Sequence, residues 1–105
     1  MRYDVDYFID KFKAIPPSKW TTKRYTDPKD PSKHCALGHC GMRNSRRPFP
    51  EEAYALSTLF LDNYPHHVSV VNDRVKTKNT KFTKKTPKGR ILAALRDIKK
   101  ASRGT

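Results

Sequence analysis

The sequence predicts an α+β fold, with about four helices packed on a small antiparallel sheet of two to four strands. Apolar residues recur at helical spacing in three segments, and a β-branched run near residue 70 alternates in the manner of a strand. Turn residues separate these elements. A chain of 105 residues has the length of one domain with one modest core, so residues 1–105 are expected to form a single domain.

The first predicted helix spans residues 4–15. Its apolar residues keep the three- and four-residue spacing of one helix face, and they are Val5, Phe8, Ile9, Phe12 and Ile15. Asp4 and Asp6 suit the positive N-terminal end of a helix, and the proline pair at 16–17 stops it. We expect this helix to serve the core.

A short strand is predicted at residues 20–26, W-T-T-K-R-Y-T, because this run is rich in aromatic and β-branched residues. A second helix is predicted over 31–42, since Asp30 is a good N-cap and Pro31 suits the first helical position. Gly38 costs that helix roughly 1 kcal/mol relative to Ala. A glycine at this position indicates that a neighbouring element packs closely against it.

The sequence of the second half of the chain predicts two more helices and one more strand. One helix opens at Pro50 and ends at Tyr64, and the strand covers 67–72, H-V-S-V-V-N. Residues at about 74–86 are expected to form a basic loop or a hairpin. The last helix opens at Thr86, which is followed by a proline. The residues that it turns inward are Ile91, Leu92, Leu95 and Ile98.

The positive charge is large and unevenly placed. The net charge is +13, and residues 65–105 carry 12 Lys or Arg against 2 Asp or Glu, a net of +10. Such asymmetry indicates a polyanionic partner, with nucleic acid first and an anionic membrane surface second. No apolar run is long enough to span a membrane, and the N-terminus does not resemble a secretory signal. We therefore expect a cytoplasmic protein.

Nucleic-acid binding is the leading functional hypothesis, and it rests on the basic C-terminal segment. Phe82 lies within that segment, and with Trp20 or Tyr25 it could stack on unpaired bases. No helix-turn-helix, RNP or zinc-finger pattern is present, so phosphate contacts without strong sequence specificity are expected. The candidate binding residues are Lys76, Lys78, Lys81, Phe82, Lys84, Lys85, Lys88 and Arg90.

Two other functions stay open. A basic segment can dock on an acidic protein, which would make the chain a protein-interaction module. A cysteine hydrolase would pair Cys35 with His66 or His67. If the second helix begins at Pro31, however, Cys35 lies in its second turn, beyond the strongest effect of the helix dipole. We therefore expect no enzymatic activity, and a buried structural thiol at this position.

Metal binding is a weaker alternative. Cys35 and His39 are four residues apart on the predicted helix. Cys40 or His34 flanks that face, and His66 or His67 could complete a zinc site. The common zinc-ligand spacings are missing, so no metal and no cofactor are expected. On one helix the rise between the two cysteines is about 7.5 Å, which is too long for a disulfide, so free thiols are expected.

Three short motifs resemble those of a family of small bacterial and phage proteins filed as domain of unknown function 6197. They are D-P at 30–31, H-C-A-L-G at 34–38 and V-V-N-D at 70–73, followed by a last helix that opens with Thr. The resemblance covers roughly residues 5–102. It implies a single domain of phage or mobile-element origin, with the C-A-L-G residues serving packing. The family has no settled activity.

The chain departs from the family pattern at three places. His34 stands where the family has Trp, and His-Cys at 39–40 stands where it has Ala-Leu. The basic segment at 74–85 separates the N-D motif from the last helix, so it is an addition of this chain.

Overall fold

The computed structural model describes residues 3–44, 46, 48–64, 67–73 and 86–103, and this part of the chain is all-helical, without a strand. The predicted α+β fold with an antiparallel sheet is therefore wrong. Five α-helices and one 3-10 turn, at Pro17–Lys19, occur in the described ranges. The α-helices are α1 (Val5–Lys13), α2 (Ala36–His39), α3 (Glu51–Asn63), α4 (Val68–Asp73) and α5 (Pro87–Arg103).

The three helices predicted from apolar periodicity are confirmed. Asp4 caps α1, because its carboxylate accepts a hydrogen bond from the Tyr7 amide at 2.8 Å. Thr86 caps α5 in the same way, since its Oγ1 accepts from the Gly89 amide at 3.0 Å. The helix predicted from Pro50 is α3, with Pro50 at its N-cap.

The predicted strand at 67–72 is wrong, because this run forms the short helix α4. Val68 and Val71 are both buried, and their spacing of three residues places them on one helix face. Short apolar runs fit a strand or a helix about equally well by their pattern, so tertiary packing decides between them. Here α4 packs against α2, α3 and α5.

The predicted strand at 20–26 is also wrong. Trp20 and Thr26 each form only a single β-bridge, and both bridges go to His34. Between them the backbone of Lys23 is left-handed, with φ +66°. A strand cannot continue through that conformation, so the segment wraps around His34 as an irregular loop.

The helix predicted over 31–42 is much shorter than expected. It begins only at Ala36, since Cys35 is its N-cap with an extended backbone (φ −78°, ψ 177°). Asp30 accepts hydrogen bonds from the amide and the hydroxyl of Ser32, which holds this part of the chain in a turn. The predicted close packing at Gly38 is confirmed, because a Cβ added there would lie 2.0 Å from the carbonyl oxygen of Tyr25.

The core forms where α5 packs against α1 and α4. Its largest fully buried side chains are Phe8, Phe12, Phe60, Leu56, Ile91, Leu95, Val68, Val71 and Asn72. Glu52 joins α3 to α1, accepting from the Tyr7 hydroxyl at 2.6 Å and from the Lys11 ammonium at 2.5 Å. Among the described helices, none has both the length and the apolar character that crossing a membrane requires.

Candidate ligand pocket

A pocket of about 370 Å³ opens between the irregular loop, the start of α2 and one side of α4. It draws its walls from three separate stretches of sequence. The lining residues are Lys23, Arg24, Tyr25, Cys35, Ala36, Leu37, His67, Val68, Ser69, Asn72 and Asp73. The pocket thus combines a floor of buried apolar residues with polar and charged residues at its edge.

Asn72 holds the three walls together. Its side-chain oxygen accepts a hydrogen bond from the Ala36 amide at 3.0 Å, and its amide nitrogen donates to the Thr21 carbonyl at 3.1 Å. The same nitrogen donates to Asp73 Oδ1 at 2.8 Å, and that oxygen also accepts from the Lys23 amide at 2.8 Å. Because Asn72 is 1% exposed, its bond to the Ala36 amide is shielded from water, and the network helps to fix the shape of the pocket.

Arg90 of α5 binds the C-terminal end of α4 through hydrogen bonds from its guanidinium. Its Nε donates to the Val71 carbonyl at 2.9 Å, and its Nη2 donates to the Asn72 carbonyl at 2.6 Å. The last carbonyls of a helix have no partner within the helix, so a guanidinium is well suited to bind them. Arg90 is 5% exposed. It is therefore engaged inside the fold rather than at the predicted phosphate-binding surface.

The edge of the pocket is positively charged. Lys23 and Arg24 are both exposed, and neither the Lys23 ammonium nor the Arg24 guanidinium has a hydrogen-bond or ion-pair partner within the described residues. Asp73 is the one carboxylate among the lining residues, and its Oδ1 is occupied by the two hydrogen bonds already described. An anionic group at this edge would meet two cations.

His67 also lines the pocket and caps α4. Its Nδ1 accepts a hydrogen bond from the Ser69 amide at 3.2 Å, so the proton of the neutral ring is on Nε2. Nε2 in turn lies 3.2 Å from the Ser57 hydroxyl of α3. The imidazole therefore links α4 to α3.

The structure brings two of the predicted catalytic candidates, Cys35 and His67, to the same pocket, while His66 lies outside the described residues. Cys35 Sγ accepts a hydrogen bond from the Gly38 amide at 3.4 Å, and burial raises the pKa of this thiol. The hydrogen bonds of His67 within the described part go to Ser57 and Ser69. A thiol with a raised pKa is a poor nucleophile at neutral pH.

His39 and Cys40, two of the predicted metal ligands, have partly or fully buried side chains. His39 donates its Nε2 proton to the Lys19 carbonyl at 2.9 Å, and burial lowers the pKa of His39 to about 4. Burial also raises the pKa of the Cys40 thiol to about 12. No group of three or more side chains able to hold a metal ion occurs in the described ranges.

Only some of the candidate nucleic-acid-binding residues lie within the described part of the chain. Lys88 is partly buried, and its ammonium donates to the Lys13 carbonyl at 3.0 Å. Trp20 is buried in the core, whereas Tyr25 lines the pocket. The candidates outside the described residues are Lys76, Lys78, Lys81, Phe82, Lys84 and Lys85.

Sequence reasoning missed the role of Lys23, Arg24 and Asp73 at this pocket. An amide followed by a carboxylate is typical of a turn, whereas here Asn72 and Asp73 bind backbone groups of two other segments. Comparison with protein-family models, with curated proteins and with solved structures finds no match for this chain. The resemblance based on the C-A-L-G and N-D motifs stays a prediction.

Proposed function

We propose that this protein is a non-enzymatic nucleic-acid-binding domain that acts in the cytoplasm and contacts phosphates without strong sequence specificity. One observation carries the proposal, namely the 12 Lys or Arg against 2 Asp or Glu in residues 65–105. A stretch of chain with such an excess of cations attracts a polyanion over several ångströms, and binding releases counterions.

The pocket edge supports the proposal from a second part of the chain. Lys23 and Arg24 are exposed beside Asp73, and Asp73 directly precedes Arg74, the first residue of the basic segment. The two exposed cations therefore lie in the same pocket as the residue that directly precedes that segment in the sequence.

A protein partner is the second candidate, and one observation favours it. Tyr54 and Leu61 of α3 are 62% and 73% exposed. They are seven residues apart, so they lie on the same face of α3. Large exposed apolar side chains on one helix face are typical of protein contacts. This face adds no charge that would select an acidic partner.

The test of nucleic-acid binding is fluorescence anisotropy with labelled single-stranded DNA, duplex DNA and RNA over a range of salt concentrations. We expect micromolar binding on duplex DNA with a log–log salt slope of about −0.9 for each phosphate neutralised. Absence of binding to all three nucleic acids at low salt would overturn the proposal.

A matched pair of variants locates the contacts. The first replaces Lys76, Lys78 and Lys81 by Gln, and the second makes the same change at Lys13, Lys29 and Lys33, so both lose three positive charges. The first variant should bind more weakly and lose about two to three units of salt slope on duplex DNA. The second should keep a slope close to that of the unmodified protein. Equal losses would show that net charge alone, without a defined surface, drives binding.

A further inference from the structure

We propose that the pocket receives one unpaired nucleotide of a bound strand, with its base against the apolar floor and its phosphate at Lys23 and Arg24. This inference rests on the proposed nucleic-acid binding and names the part of the strand that the fold itself recognises. It concerns the described pocket, which is distinct from the lysines of the basic segment.

The size and the floor of the pocket suit a base. Its volume of about 370 Å³ lies within the range of about 300–1,000 Å³ that small-ligand pockets have. Ala36, Leu37 and Val68 are apolar lining residues, of which Leu37 keeps some accessible surface, and Tyr25 is the aromatic residue of the lining. A flat, weakly polar body such as a nucleobase buries well against these groups, and an aromatic wall accepts any of the bases.

The edge of the pocket suits a phosphate. Lys23 and Arg24 are the two exposed cations there, and Asp73 is the only opposing charge among the lining residues. The backbone of Lys23 is tied to that carboxylate by its amide, so the position of the residue is fixed even though its side chain reaches into solvent. A ligand with an apolar body and an anionic end therefore fits the pocket in one orientation.

The left-handed backbone of Lys23 supports a role for this residue in ligand binding. Glycine and asparagine adopt φ near +66° more easily than lysine does. Residues held in sparsely populated backbone conformations cluster at ligand-binding sites. Asparagine at this position would keep the backbone geometry and remove the charge, which makes Lys23→Asn a clean test variant.

The pocket also predicts the form of nucleic acid that binds. A base in a duplex is paired and stacked, so it can enter a pocket only after it is extruded from the helix, at a cost in free energy. A single strand presents its bases without that cost. We therefore infer a preference for single-stranded DNA or RNA over duplex.

The decisive experiment compares three labelled DNA probes of equal length: a single strand, the same strand with abasic sites throughout, and a duplex. The unmodified protein should bind the single strand about tenfold more tightly than the abasic strand, because the abasic strand keeps the phosphates and lacks the bases. Lys23→Asn should weaken binding to the single strand and to the abasic strand alike. Equal binding of the single and abasic strands would overturn the inference.

A variant that fills the pocket separates the base from the phosphate contacts. Ser69→Trp places a large ring at the opening, while Ser18→Trp adds the same ring at another exposed site that does not line the pocket. Ser69→Trp should weaken single-strand binding about tenfold and leave abasic binding unchanged, and Ser18→Trp should change neither. If Ser69→Trp leaves the binding of both the single strand and the abasic strand unchanged, the pocket inference fails and the proposed function stands. If no probe binds, the proposed function fails.

Amine protection gives a readout in the unmodified protein. Lys23 lines the pocket and Lys29 does not, and both are exposed, so a bound nucleotide should slow the acetylation of Lys23 by acetic anhydride and leave that of Lys29 unchanged. Tandem mass spectrometry of the modified peptides distinguishes the two lysines. A free nucleoside 5′-monophosphate and inorganic phosphate serve as further probes: protection by the nucleotide alone supports the inference. Equal protection by phosphate would reduce the pocket to a simple anion site and overturn it.

Discussion

Asn72 Oδ1 accepts a hydrogen bond from the amide of Ala36 at 3.0 Å, across 36 residues of sequence. This bond joins the two motifs, C-A-L-G and N-D, on which the resemblance to a known family was based. It serves α2, whose first amides have no partner within the helix. The two motifs are therefore neighbours in space, and they contribute to two of the three walls of the pocket.

Replacing Asn72 by Ala should lower the free energy of unfolding by about 3 kcal/mol, because buried backbone groups at Ala36 and Thr21 lose their partners. Urea denaturation followed by circular dichroism measures the change. Asn63→Ala is the matched control, since Asn63 is exposed and the hydrogen bond of its side chain within the described part of the chain goes to the Leu59 carbonyl of α3; it should cost less than about 0.5 kcal/mol. Equal effects of the two substitutions would contradict the role given to Asn72.

Gly38→Ala should destabilise the protein by about 3 kcal/mol or more, because the new Cβ would lie 2.0 Å from the Tyr25 carbonyl oxygen and the backbone would have to move. Gly41→Ala provides the comparison. An added Cβ meets nothing closer than 3.5 Å there, but the backbone has φ +97°, so we expect a cost of only about 1–2 kcal/mol from conformational strain. Thermal denaturation of both variants shows which one loses more stability. A smaller loss for Gly38→Ala than for Gly41→Ala would mean that the backbone at Tyr25 moves away from the new Cβ at little cost.

Arg90→Gln should act on stability and not on the salt dependence of binding. The substitution removes donors from two carbonyls at the end of α4, and we expect a loss of about 2–3 kcal/mol. Because the guanidinium is inside the fold, the salt slope with DNA should stay unchanged at temperatures where the variant is folded. A reduced slope with unchanged stability would show that Arg90 contacts phosphate instead.

Acid should destabilise the protein through His39. Burial lowers the pKa of His39 to about 4 in the native state, whereas an unfolded histidine titrates near 6.5. Below about pH 6.5 the unfolded chain binds this proton and the native state does not, so stability is full above that pH and is lost as the pH falls toward 4. The loss from this group is up to about 3 kcal/mol.

The control for this effect is His39→Gln, which keeps an N–H donor for the Lys19 carbonyl and cannot titrate. Urea denaturation between pH 4 and 7 (about the range in which the two states differ in proton binding) should show a steeper acid loss in the unmodified protein than in the variant. Parallel stability curves would show that His39 is protonated equally in both states.

The long helices were predictable because each carries a complete local signal. In α1 the buried residues Phe8 and Phe12 keep helical spacing behind a capping Asp4. The 67–72 run carries no such signal. Its valines suit a strand by propensity. The helix is stabilised by contacts from distant parts of the chain, namely the Ser57 hydroxyl at His67 and the Arg90 guanidinium at the other end.

The pocket could not be predicted because its walls come from stretches that meet only in the folded chain. Lys23 reaches the pocket through a left-handed backbone that its residue type disfavours, and nothing in the neighbouring letters marks it. The charge of the C-terminal part was visible from composition, whereas the burial of Arg90 was not, since an arginine in a basic stretch is usually exposed.

The contact between Trp20 and His39 gives the protein an internal optical probe. Trp20 is the only tryptophan of the chain, and its ring centre lies 4.9 Å from that of His39. The indole N–H is buried without a hydrogen-bond partner among the described residues, so its emission is expected at short wavelength. An imidazolium accepts an electron from an excited indole more readily than a neutral imidazole does. The fluorescence of the folded protein should therefore be quenched as His39 takes up its proton, which makes a titration readable without any label.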